Sequence, residues 1–313
     1  VEIYHSYPYC WRHKCPLIFR STEQWFISMM KNNLLKNSLH NLNNIICVKP
    51  NWSFNYFRNM LRKRPDWCIS RQRVWGVPLP ICIDRNAKIH PQTSKIINAI
   101  ATIVEKSGIE SWYSLCKNEF LVKNGFAITK EHADNYTFLS DVLDVWFDSA
   151  AVSFCLREDN NYNVPYQADL YFEGFDQYRG WFQSTLLAST AAVDAVPFKE
   201  LISHGFVVGD TGLKLSKSSS DTENVTPNTI IAVHGADIFR LWVASVDFTG
   251  NITFSSEILD RLCDTYRKIR NTLRFLLSNC NELITSNFSI LNLLKIDLLV
   301  INYTFLYKEY CMK

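Results

Sequence analysis

Residues 168–184, ADLYFEGFDQYRGWFQS, decide the fold. ADLYFE reads as a buried strand and Gly174 to Asp176 as a turn. Gln177 to Ala192 then reads as a helix with Asp176 at its N-cap, where a short carboxylate can accept free backbone N–H groups. Strand, tight turn and helix in that order form the half-unit of a parallel α/β sheet. In such sheets ligands settle beyond the carboxyl ends of the strands, near helix N-termini that present free N–H groups and a positive dipole end. Glu173, Gly174, Asp176 and Gln177 occupy that address. Leu201 to Gly205, LISHG, is a second short strand ending at the same edge in His204-Gly205.

Downstream, FVVGDTGLKL reads as a β-hairpin with its turn in Gly209 to Gly212. From it hangs KLSKSSSDTENV, which sets Lys214 and Lys217 three apart in a tract of serines. Serine-rich segments with scattered charge are usually solvated linkers. Placement beside the sheet's carboxyl edge suits a lid over a ligand better. From Pro227 the pattern turns helical, with further helices over Asp237 to Ala244 and 256 to 279. In the longest one Arg267, Arg270 and Arg274 share a side, while Leu262, Tyr266, Ile269 and Leu273 can face a core. A basic stripe is most often a solvated face, and it is also how a phosphate backbone is tracked. Residues 290 to 307 read as an apolar helical run.

Upstream, Pro16 to Arg20 and Gln24 to Ser28 read as strands, and the Asn-rich stretch at 31 to 45 as a linker or amphipathic connector. DWCISRQRVWGVPLPICI, 66 to 83, is broken by Gly76, Pro78 and Pro80 into loop and strand. Residues 93 to 133 read as a mixed excursion with one helix, Ser94 to Lys106. With 313 residues, 47% of them hydrophobic, the chain can bury a large core in about two domains. Its net charge of +3 announces no global nucleic-acid footprint, so such contacts must come from local patches. The ten cysteines lack a C-x-x-C pair and read as reduced thiols of an intracellular compartment. Cys10, His13 and Cys15 fall short of the four ligands zinc needs. No apolar run reaches membrane-spanning length, and no signal peptide is visible.

The blocks RPDWCISRQRVWGVPLP, DVLDVWFDS, ADLYFEGFDQYRGWFQS, ISHGFVV, KLSKS and GADIFRLWVASVDFTGN resemble those of the isoleucyl-tRNA synthetases, in that family's order. DVWFDS and DQYRGW are similar to the isoleucine enzymes rather than the valine or leucine ones, and HSYPYCWRHK with KLSKS to bacterial or organellar forms. The resemblance implies an α/β fold. Here it would be the second half of a Rossmann-type catalytic domain of a class I synthetase, followed by the start of an α-helical anticodon-binding domain. It implies a return from the editing insertion over 1–55, with the sheet resuming around 55 to 80. The catalytic half with the KLSKS loop would span 56–222, a helical connector 223–256, and the anticodon-domain start 257–313.

The implied activity is ligation of isoleucine to tRNA(Ile) through an isoleucyl-adenylate made from ATP, with Mg2+ accompanying the nucleotide. Such chemistry rests on positioning and on stabilising phosphoryl charge. By resemblance Glu173, Gly174, Asp176 and Gln177 hold the adenylate, and Trp146 and Trp181 wall the isoleucine pocket. His204 and Gly205 approach the nucleotide, Lys217 pairs with the phosphates, and Lys214 and Ser216 assist. Arg267, Arg270 and Arg274 are candidates for tRNA contact. The implied partners are tRNA(Ile), L-isoleucine and ATP, with no membrane, no zinc in this segment, a monomer when complete, and a cytoplasmic or organellar setting. An apolar pocket separates isoleucine from valine by only ~1–3 kcal/mol, which implies editing, at a site that would lie upstream. Arg71 and Arg73 are structural pairs or part of an acceptor-end path.

Three departures stand out. No His-x-Gly-His occurs among the seven histidines, SSSDTENV follows KLSKS where the family has Gly-Asn, and Tyr178 replaces the His of DQHRGW. The chain alone is therefore expected to give no isoleucine-dependent ATP–pyrophosphate exchange, and robust exchange would refute that. Two other readings stand beside this one: a non-catalytic RNA-binding or regulatory remnant, and a generic nucleotide-binding α/β domain, which lacks its Gly-rich phosphate loop.

Overall fold

The computed structural model describes residues 4–10, 12–158, 165–209, 212 and 226–279. The chain divides into two compact units, Val1–His204 and Gly205–Lys313.

The first unit is built on a three-stranded parallel sheet of order β2-β9-β8, with β2 at Cys47–Lys49, β8 at Ala168–Gly174 and β9 at Phe198–His204. One face is covered by α1 (Leu34–Leu42), α2 (Trp52–Arg62), α7 (Val145–Glu158) and α8 (Trp181–Val193). Tyr171 and Leu201 of the sheet join Phe57, Leu61, Phe182, Leu186 and Leu187 in its core. α2 forms where the sequence reading had the sheet resuming. Ser53, Phe57 and Leu61 recur at helical spacing and are buried, whereas the sheet strand lies earlier, at β2. The stretch 31 to 45 is indeed an amphipathic helix, α1, with Leu34, Ser38, Asn41 and Leu42 inward.

The expected buried strand ADLYFE is buried on one side only. Leu170 and Phe172 are about half exposed, because no described element covers that face of β8. Parallel sheets are normally covered on both faces.

Short antiparallel pairs flank this core. β1 (Phe26–Ile27) pairs with β3 (Trp67–Cys68), and β4 (Ser70–Arg71) with β7 (Val142–Leu143). Residues 66 to 83 are loop and strand, as their glycine and prolines require. Between β5 (Cys82–Asp84) and β6 (Tyr136–Phe138) lie four helices rather than one: α3 (Thr93–Ser107), α4 (Glu110–Ser114), α5 (Lys117–Lys123) and α6 (Lys130–Ala133). They enclose their own cluster of Cys82, Ile96, Trp112, Phe120 and Leu121. Of the expected strand Pro16 to Arg20, only Pro16 pairs, with Tyr9.

In the second unit β10 (Val207–Val208) pairs in parallel with β11 (Ile252–Thr253). The return strand of the expected hairpin lies outside the described residues. α9 (Pro227–His234) opens with a capping box between Thr226 and Thr229 and proline at its start. α10 (Ala236–Ser245) and α11 (Ser256–Asn279) complete a cluster of Ile230, Ile238, Trp242 and Leu259. Leu262 and Tyr266 pack on it, but Ile269 and Leu273 are about half exposed, because no described element lies against the second half of α11. The apolar run 290 to 307 lies outside the described residues.

Candidate functional site

The two strands named from sequence end side by side. β8 and β9 run parallel with Glu173 opposite Ser203 and Gly174 opposite His204, so the EG and HG ends share one sheet edge. The His204 ring tilts over Phe172, centroids 5.2 Å apart.

The turn after β8 differs from expectation. Phe175–Tyr178 form a 3-10 turn, and α8 begins only at Trp181. Asp176 does not cap the helix. The N-cap position falls at Gly180, and Gln177 reaches across the turn, its Oε1 accepting from the Trp181 N–H at 2.9 Å, while Asp176 stays exposed at the edge. The reason is Gly180, at φ −111° and ψ −119°, which redirects the chain between turn and helix. It also makes room. A methyl at Gly180 would sit 2.7 Å from Trp146 Cη2 and 2.5 Å from Gln177 Oε1, so Trp146 and Gln177 converge on this glycine. Trp181 stacks on Tyr171 at 4.2 Å and 14°, and its indole N–H donates to the Ser149 carbonyl at 2.9 Å. Of the predicted site residues, Trp146 and Gln177 meet at Gly180, Trp181 follows it, and Glu173 and Gly174 end the strand that leads into this turn.

Trp146 is held from behind by Asp144, which stands just before α7. One carboxylate oxygen accepts from Trp67 Nε1 at 2.9 Å and meets the Arg71 guanidinium at 3.2 Å, and the other takes the Trp146 N–H at 3.4 Å. Arg71 also donates to the Cys68 and Ser70 carbonyls, whereas Arg73 is exposed. Burial and the nearby Asp144 together raise the Asp148 carboxyl above the usual carboxylate range. A cavity of about 880 Å³ lined by Arg71, Arg73, Trp75, Tyr113, Asp144 and Asp148 contains none of the residues predicted to hold the adenylate.

Tyr178 and Ser203 were not singled out as a pair. The 3-10 turn drives Tyr178 into the core, fully buried, with its hydroxyl 2.6 Å from Ser203 Oγ, next to His204. No short-range sequence signal links these positions, 25 residues apart.

Gly205 belongs to the second unit. Its N–H donates to Phe248 O at 3.0 Å, and a methyl there would overlap the Gly250 carbonyl. Arg267, Arg270 and Arg274 are exposed on α11, and Arg267 pairs with Asp264 at 2.9 Å. Lys214, Ser216 and Lys217 lie outside the described residues. Among the described residues no cluster of three or more His, Cys, Asp or Glu is placed to hold a metal ion, and no helix is long and apolar enough to cross a membrane.

Parallel strands ending in Gly174 and His204, with a tight turn that leads to the Trp146–Gly180–Gln177 contact, define an α/β protein, the class of sheet that takes ligands at its carboxyl edge. The family described as tRNA synthetases class I (I, L, M and V) matches residues 11–255. The isoleucine–tRNA ligase of Francisella philomiragia is 47% identical over 280 residues, covering 89% of this chain and 28% of that protein. That of Wigglesworthia glossinidia brevipalpis is 44% identical over 300 residues, covering 94% and 31%, and that of Pasteurella multocida 45% over 281, covering 90% and 29%. Methionyl-tRNA synthetase of Mycobacterium tuberculosis, in complex with methionyl-adenylate, shares the fold at TM-score 0.51 and 18% identity, over 83% of this chain and 41% of that one. The chain belongs to the class I tRNA synthetases. It spans under a third of the length of the isoleucine–tRNA ligases it matches.

Proposed function

We propose that this chain forms the adenylate-holding part of an isoleucine–tRNA ligase, which activates L-isoleucine with MgATP and passes it to tRNA(Ile) in the cytoplasm. The observation that carries the reading is the convergence at one sheet edge of Glu173, Gly174 and His204 with the Trp146–Gly180–Gln177 contact. Carboxylates suit the substrate's ammonium and ribose hydroxyls: Glu173 and Asp176 are exposed at the strand end, where a ligand can reach them. Gly174 has an ordinary extended backbone, φ −68° and ψ 161°, so its value lies in a missing side chain that lets a ligand close on the strand. Trp146 and Trp181 supply an apolar wall. Gln177 is a positioning residue that ties the turn to α8. His204 and Gly205 approach the nucleotide, Lys217 with Lys214 and Ser216 covers its phosphates, and the exposed arginines of α11 meet tRNA where an anticodon-binding region begins.

The test is titration of the 313-residue chain with a non-hydrolysable isoleucyl-adenylate analogue, followed by tryptophan fluorescence. The isoleucyl analogue should quench emission and bind at least about tenfold more tightly than the alanyl one, the scale of one to three apolar carbons. Gly180→Ala, which displaces Trp146, should abolish that preference. Equal binding of both analogues, or a preference untouched by Gly180→Ala, would refute the reading.

A further inference from the structure

α2 carries a basic surface that the adenylate site does not use. Two clefts open beside it, of about 380 and 510 Å³. The first is lined by Lys36, Arg58 and Arg62 and the second by Lys63, Arg64 and Arg179, and no carboxylate lines either. Among the described residues none of these six cations is in an ion pair. Cations gathered without counter-ions repel one another, so such a surface is normally diluted with acids unless it meets an anion.

A second observation points the same way. Arg58 lines the first cleft and Arg64 the second, and the Nε atom of each is buried without a hydrogen-bond partner. Buried donors are nearly always satisfied, so neither guanidinium is fully neutralised by the protein around it. Arg64 is otherwise anchored, donating to Gln183 Oε1 and lying over the Trp67 ring at 5.4 Å. Its guanidinium is pushed down by burial, and the carboxylate acting on it, Asp144, is already taken by Arg71 and Trp67.

We propose that the two clefts beside α2 hold phosphates of one RNA strand. Arg58 and Arg62 line one cleft and Lys63, at the end of the same helix, lines the other, so both clefts open along one element that a strand can follow. Guanidinium forks suit phosphate oxygens, and Arg62, Lys63 and Arg179 lie exposed at the rims where a backbone passes. The choice of RNA rests on the proposed tRNA substrate, while the site itself rests on the clefts.

The test is anisotropy of a labelled tRNA(Ile) transcript with the full chain over a KCl series. The triple variant Arg62→Gln, Lys63→Gln, Arg179→Gln should weaken low-salt binding about tenfold or more and flatten the log K against log salt slope by about 2–3. Single variants, needed if the triple misfolds by circular dichroism, should each remove about one unit of slope. An unchanged slope in folded variants, no RNA binding by the parent chain, or equally tight capture of inorganic phosphate alone would overturn the proposal. So would a slope lost entirely in Arg267→Gln, Arg270→Gln, Arg274→Gln. None of these outcomes touches the isoleucyl-adenylate titration, so the two proposals fail separately.

Discussion

The Tyr178 hydroxyl shares a 2.6 Å hydrogen bond with Ser203 Oγ, enclosed by the rings of Tyr56, Phe57 and Phe182. Ser203 also donates to the Lys49 carbonyl at 3.3 Å, so one buried pair ties the turn after β8 to the ends of β9 and β2. Tyr178→Phe keeps the ring packing and removes only the hydroxyl. Because Ser203 retains Lys49, the expected loss is about 1 kcal/mol, seen as a lower urea midpoint at unchanged m-value. No loss would mean the pair is not formed. The identity of this tyrosine was legible as a departure from the resembling blocks, but its partner was not. A contact between a turn and a strand end exists only once the sheet register has placed them.

At the scale of elements, strand, turn and helix were legible in ADLYFEGFDQYRGWFQS because alternating periods and a glycine punctuate them. The helix start was misplaced because Asp176 is a good cap by type, whereas the chain first makes a 3-10 turn there and the N-cap of α8 falls at Gly180. β2 was missed because three residues, Cys47–Lys49, carry too little pattern to register as a strand. Gly205 illustrates a residue whose motif reading and packing reading coincide. Its N–H and the Phe206 N–H are taken by Phe248 O and Asn251 Oδ1, and β10 lies alongside β11 directly after. Backbone, not a flexible side chain, blocks any added methyl there. Gly205→Ala should therefore cost about 2–3 kcal/mol or more in the second unit, read as faster limited proteolysis between 205 and 279. Proteolysis at the parent rate would show that the close approach to Gly250 is not kept.

Over the whole molecule, alkaline pH separates the two units. In the first, burial pushes the Tyr171 phenol up to about 12 and the Cys82 thiol up to about 11. Burial raises Tyr166 and Tyr178 as well. Each group is neutral when protonated, and the unfolded chain ionises its thiols near 8.5 and its phenols near 10. Between those values and the folded ones the native chain holds more protons than the unfolded chain, so stability falls as pH rises. The contribution is fully present below about pH 8, and is lost first by the thiol from about pH 8.5 and then by the phenols from about pH 10, through pH 12. Tyr171 alone accounts for about 2–3 kcal/mol at the upper end, at ~1.4 kcal/mol per pK unit. In the second unit Tyr266 is raised by its 2.6 Å hydrogen bond to Asp237, but that hydrogen bond is solvent-exposed, and water screens its effect. Guanidinium midpoints measured from pH 8 to 11.5 should hold steady and then drop, with the transition reported by Tyr171 and its stacked Trp181 moving first. Tyr171→Phe removes the ionising group while keeping the ring, so its midpoint should decline less steeply above pH 10. Parallel curves for parent and variant would show that the phenol ionises as freely in the fold as in water.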